Sequence, residues 1–114
     1  MNDDKSINFQ SEIPANLVAK IMEGSTKDQI EADKSMVNRI IEECAEPQFA
    51  LVFDCMSRFL LMGKEFKEEL RIVSESIGKE VPVLGALTYG EIGSYVGAPM
   101  FHNKTIAVAV LSSK

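Results

Sequence analysis

The spacing of hydrophobic residues along the chain changes several times, and each change marks an element. Leu17-Val18-Ala19-Lys20-Ile21-Met22 is apolar and partly β-branched and is closed by Glu23-Gly24, which is the pattern of a strand. Before it, Ile7, Phe9 and Ile13-Pro14 read as a shorter extended segment broken by proline and able to pair with it as a hairpin. Residues 1 to 5 read as a flexible tail. From Ser25 the period becomes helical: Ile30, Val37, Ile40, Ile41 and Cys44 share one side, while Lys27, Glu31, Lys34, Asn38 and Glu42 occupy the other. Thr26 with Gln29 matches a capping box, Asp28 suits the positive end of the helix dipole, and Pro47 ends the run.

Phe49-Ala50-Leu51-Val52-Phe53 is apolar throughout, the pattern of a central strand buried on both faces. A helical passage follows as far as Gly78, with Phe66, Leu70, Val73 and Ile77 on one stripe. Gly63 divides it into a short helix over residues 56 to 62 and a longer one, and Gly78 reads as a left-handed cap. Residues 83 to 87 return as a strand. Strand, helix, strand at this length predicts a right-handed parallel crossover that sets residues 83 to 87 beside residues 49 to 53. The apolar run at residues 105 to 111 predicts a last strand, antiparallel to the one around Ala86 and reached through a long loop at residues 93 to 102. The expected fold is α/β in the α+β sense: one mixed sheet of about five strands, two main amphipathic helices, a βαβ crossover and a C-terminal antiparallel strand.

Composition narrows the class. The 114 residues are 46% hydrophobic and 25% charged, which predicts one folded domain over residues 1–114. A net charge of −5, with twelve scattered Lys and Arg among seventeen acids, argues against nucleic acid and anionic membranes. No apolar run is long enough to span a membrane. Cys44 and Cys55, eleven positions apart, form no metal-ligand pattern with the single His102, so neither a metal nor another cofactor is expected, and reduced thiols fit a cytoplasmic location.

Candidate chemistry concentrates in residues 84 to 103, which hold four of the seven glycines, both tyrosines and the only histidine. Glu91 is the sole formally charged side chain between Val81 and Asn103. It is either the exposed end of a strand or part of a ligand site. The carboxyl ends of adjacent parallel strands are where open α/β sheets build sites, and the predicted crossover brings residues 55 to 58 near residues 89 to 91. Arg58, set among Met56, Phe59, Leu60, Leu61 and Met62, needs an anionic partner: Asp54, Glu91 or a ligand carboxylate. With Glu91 it would read a zwitterion, Arg58 taking the carboxylate and Glu91 the ammonium. Gly90, Gly93 and Gly97 precede no helical period and have no Lys or Arg nearby, which excludes the common phosphate loops. A thiol enzyme using Cys55 and His102 is supported by residue types alone.

Three motifs in register, Phe53-Asp54-Cys55-Met56-Ser57-Arg58, Thr88-Tyr89-Gly90-Glu91-Ile92-Gly93 and His102-Asn103-Lys104-Thr105, resemble the C-terminal part of the FIST family of sensory domains. The Gly24 turn and Pro82-Val83-Leu84-Gly85 also fit, so the resemblance spans about residues 7 to 111. It implies a non-catalytic bacterial module that binds a small, amino-acid-like ligand and signals to histidine kinases, chemoreceptors or cyclic-dinucleotide enzymes. The positions carried over are Cys55, Arg58, Tyr89, Gly90, Glu91, His102 and Asn103. The family's longer N-terminal region has no counterpart in this sequence, which leads to the expectation of a fragment, or of a half completed by another chain. A homodimer through a mainly apolar interface that includes the last strand or the helix beside it follows from the same absence, and a structural or assembly domain without ligand is the alternative function.

Overall fold

The computed structural model describes residues 3–9, 12–95 and 97–113. Helix α1, Thr26–Glu43, leads into β1, Pro47–Cys55. A short α2, Met56–Met62, and a 3-10 turn, Gly63–Glu65, precede α3, Phe66–Ile77. The strands β2, Val83–Thr88, β3, Glu91–Tyr95, β4, Ala98–His102, and β5, Ile106–Ser112, complete an α+β fold.

The five strands divide between two sheets. The larger runs β2-β1-β5, with β1 parallel to β2 and antiparallel to β5, and the smaller is the antiparallel hairpin β3-β4. The crossover from β1 through α2 and α3 to β2 is therefore as the sequence predicts. The last strand is also antiparallel, but its partner is β1 and not the strand around Ala86. Of the residues 93 to 102 expected as a long loop, 93 to 95 and 98 to 102 belong to the two strands of the hairpin, and residue 96 lies outside the described residues. These strands alternate apolar and small residues too irregularly for a strand pattern to stand out.

Helix α1 begins one residue earlier than the Thr26 box implies. Ser25 is the N-cap: its Oγ accepts the Asp28 N–H at 3.2 Å, and the Asp28 carboxylate accepts the Ser25 N–H at 2.9 Å. A short acid three residues along serves the box as well as Gln29 would. Gly78 does close α3 at positive φ, but φ 128° and ψ 132° lie outside the left-handed helical region. It takes the chain into a turn in which the Val81 N–H donates to the Gly78 carbonyl at 3.0 Å, ahead of β2.

The core sits where α1 and α3 pack on one face of the three-stranded sheet, around Val37, Ala50, Val52, Val73 and Ile77. Strand β1 is buried on that face at Ala50, Val52 and Asp54, and on the other only at its end, Cys55. Its other face carries Phe53, which is 40% exposed, because nothing among the described residues covers it. The segment at residues 17 to 22 forms no strand, and Val18, Ile21 and Met22 are 91, 100 and 83% exposed. A strand needs a neighbour to take its backbone hydrogen bonds, and neither residues 7 to 9 nor 12 to 14 supply one. Of the expected tail, residues 1 and 2 lie outside the described residues, and residues 3 to 5 form a turn and bend.

Candidate functional site

Three strands converge at the carboxyl end of β1. Cys55 and Thr88 are register partners across the parallel pair, and the Cys55 N–H donates to the Thr105 carbonyl at 3.1 Å, just ahead of β5. Glu91, first residue of β3, enters this junction and is 7% exposed. Thr105 Oγ1 donates to its Oε2 at 2.7 Å, and the Thr88 hydroxyl bonds Oε1. The lone carboxylate of this stretch is thus buried and held by two hydroxyls, and it fastens the β3-β4 hairpin to the ends of β2 and β5.

Cys55 is 3% exposed, with its Sγ 3.0 Å from the Ser57 hydroxyl. Burial pushes this thiol up, but hydrogen bonds from the Ser57 side chain and backbone and from the Lys104 backbone outweigh it. The net result is a thiol below its ordinary value.

The hairpin supplies the remaining expected residues. His102 is the register partner of Glu91 and is half-buried, with its ring over Gly93, where an added Cβ would lie 3.7 Å from Cδ2. Asn103 is half-buried at the turn into β5, and Tyr89 is 85% exposed. At Gly90 a Cβ would overlap the Phe101 ring, so the lack of a side chain lets β4 close over the end of β2. Cys55, Gly90, Glu91 and His102 therefore gather at one end of the sheet, with Tyr89 and Asn103 at its rim.

Arg58 does not join them. It is 5% exposed on the helix side of the sheet, where its Nε donates to Glu69 Oε1 at 3.0 Å and its Nη2 to Asp33 Oδ2 at 2.5 Å. Asp54 Oδ1 lies 3.4 Å from Nε, and Nη1 donates to the Lys104 carbonyl at 3.4 Å. Of the three partners the sequence offers, Asp54 is present, Glu91 is not, and the guanidinium has no free edge for a ligand carboxylate. The pairing of Arg58 with Glu91 on one zwitterion is thereby corrected: Arg58 is enclosed by acids of α1, α3 and β1.

Two of those acids, Asp33 and Glu69, escaped the sequence reading, although their positions carried a signal. Asp33 falls between Ile30 and Val37 on the buried stripe of α1, and Glu69 lies three residues after Phe66 and four before Val73. In α3 it is Glu69, fully enclosed, that continues the stripe, while Leu70 is 44% exposed. A charged residue at a core position of a helix calls for a buried counter-ion. Thr88, Thr105 and Ser57 carry no comparable mark, since hydroxyl residues near strand ends are common.

A family model described as the FIST C domain matches residues 1–94. This span includes Cys55, Arg58, Tyr89, Gly90 and Glu91 and stops short of His102 and Asn103. No curated protein and no solved structure matches the chain. The chain belongs to the FIST C domain family, whose members are sensory, signal-transduction domains and not, in general, catalysts.

Proposed function

We propose that residues 1–114 act as one sensory unit that binds a small polar metabolite at the junction of β1, β2 and the β3-β4 hairpin, without turning it over. The observation that carries this reading is Glu91, a carboxylate buried where parallel strands end and bonded, among the described residues, only by two neutral hydroxyls. An ammonium or amide group approaching it would add the positive partner that the junction lacks. Cys55, Gly90, Glu91 and His102 would face the ligand, with Tyr89 and Asn103 at the rim. Arg58 would act as a positioning residue through the Lys104 carbonyl. An amino-acid-like ligand is the class this favours, held by Glu91 and by the backbone of the glycine-rich hairpin.

Two free cysteines suit a reducing cytoplasm, the resemblance to bacterial sensory modules supports a bacterial setting, and no helix among the described residues is long and apolar enough to cross a membrane. Catalysis by Cys55 is disfavoured because the buried thiol pairs with Ser57 and not with His102. Amide chemical-shift mapping with a panel of amino acids tests the reading. Saturable shifts at Thr88, Gly90, Glu91 and His102 support it, and shifts elsewhere or none oppose it.

A second function, assembly, is favoured by the open face of the sheet. Register places Phe49 with Leu111, Leu51 with Leu84 and Ala109, and Phe53 with Ala86 and Ala107 on the side away from the helices. That open face suits a homodimer, or a covering N-terminal FIST half, with the exposed residues of β2 and β5 in the interface. Output to a downstream signalling domain would pass through the same surface.

A further inference from the structure

The two long helices pack on each other, and α1 packs on β5, so the helix side of the outer strand β2 has thin cover. A cavity of about 460 Å³ opens there between α3 and β2. Phe66, Leu70, Val73, Val83 and Leu87 make it apolar, and Asp54 stands in its wall. Asp54 is 2% exposed, and neither carboxylate oxygen has a hydrogen-bond partner among the described residues. Arg58 Nε lies 3.4 Å from Oδ1, but its hydrogen bonds go to Glu69, Asp33 and the Lys104 carbonyl.

Three carboxylates, Asp33, Asp54 and Glu69, thus surround one guanidinium. The cluster lacks positive charge and hydrogen-bond donors, and Asp54 carries most of that deficit. Burial, reinforced by the neighbouring acids, pushes Asp54 up to about 7. The deficit is therefore met in part by a proton near neutral pH, and a proton is what a cationic ligand can replace.

We propose that this cavity binds a small apolar ammonium, an alkylamine or aralkylamine, with its cationic head on Asp54 and its hydrocarbon along Leu70, Val83 and Leu87. A buried carboxylate with no hydrogen-bond donor among the described residues, and only the 3.4 Å ion pair to Arg58, gains most from a further charged donor, and an apolar wall gains most from a chain that removes it from water. A zwitterion fits less well, because no free cation in the lining can receive its carboxylate. A metal ion fits poorly too, since no group of acids, histidines or cysteines among the described residues is arranged to hold one. This cavity lies on the helix side of the sheet, and the proposal does not depend on the junction at Glu91.

The test is titration of the whole chain with n-hexylamine, n-hexanol and hexanoate at neutral pH, followed by calorimetry and amide shifts. The amine should bind saturably and at least about tenfold more tightly than the alcohol, the difference a charge-assisted hydrogen bond makes. Hexanoate should not bind, and the shifts should fall in α3 and β2. Asp54→Asn should reduce the amine to the affinity of the alcohol. Leu70→Trp, which enlarges a lining side chain that is 44% exposed and takes no part in the ion pairs, should abolish binding of both. If Asp54→Asn does not fold, the three-probe comparison and Leu70→Trp decide. Equal binding of the alcohol or the acid, absence of saturable amine binding, or amine binding that survives Leu70→Trp would overturn the proposal.

Discussion

Arg58 and Glu91 are joined through two adjacent residues and never meet. Arg58 Nη1 donates to the Lys104 carbonyl at 3.4 Å, and Thr105 Oγ1 donates to Glu91 Oε2 at 2.7 Å. The residues entering β5 thus connect a charge cluster under the helices to a carboxylate at the strand ends.

Removing the guanidinium leaves three buried acids without their cation. Arg58→Met should cost about 3–5 kcal/mol of stability, since breaking a buried ion pair from one side strands the remaining charges. Urea denaturation measures this loss. A cost near that of a surface substitution would mean that the acids are simply protonated when Arg58 is absent.

The same cluster makes stability depend on pH. Burial pushes Asp33 and Asp54 up to about 7 from an unfolded value near 3.8. Between these values the folded chain holds protons that the unfolded chain has released, so stability falls as pH rises through the window. The urea midpoint should be higher at pH 5 than at pH 8, and Asp54→Asn should flatten the difference. A midpoint that rises over this range in the parent chain would contradict the assignment.

Glu91 fastens the hairpin, and Glu91→Ala should release it. The hydroxyls of Thr88 and Thr105 lose a charged acceptor, at a cost of roughly 1–3 kcal/mol. Hydrogen exchange should quicken in β3 and β4 far more than in β1. Uniform acceleration across the sheet would show that the hairpin and the larger sheet open together.

Thiol labelling separates the two cysteines. Cys44 is half-buried and Cys55 is enclosed, so mass-resolved alkylation of the folded chain should modify Cys44 first and leave the Cys55 rate unchanged in His102→Ala. Rapid labelling of Cys55, lost in His102→Ala, would restore the thiol-enzyme reading.

The parts of the fold legible in the sequence were those with a dense periodic signal. The stripe from Ile30 to Cys44 and the apolar runs at residues 49 to 53 and 83 to 87 each formed the expected element, and their order dictated the parallel crossover. The hairpin was missed because Gly93, Gly97 and Pro99 interrupt any alternation, and its pairing depends on Gly90 admitting Phe101. The strand at residues 17 to 22 was over-read, because apolar content indicates what a segment would bury and not whether a neighbour exists. At the site, Cys55 and Glu91 were brought together by strand order alone. The environment of Arg58 was legible only in part: Asp54 is a partner the sequence offers, while Asp33 and Glu69 come from helices whose mutual placement no local pattern encodes.

The open sheet face gives a direct expectation for assembly. Leu84 is 62% exposed among apolar neighbours, so sedimentation equilibrium at micromolar concentration should find a dimer and Leu84→Lys a monomer. A parent chain that stays at 12.6 kDa at every loading would remove the dimer.

Ligand binding at the junction of β1, β2 and the hairpin is the central claim, and thermal denaturation across a panel of amino acids and related metabolites tests it most directly. At a hundred times its dissociation constant a true ligand should stabilise the native state by about 2.7 kcal/mol, and Glu91→Gln should abolish that gain. A panel that leaves the parent chain unshifted, or shifts it equally in Glu91→Gln, would contradict the claim.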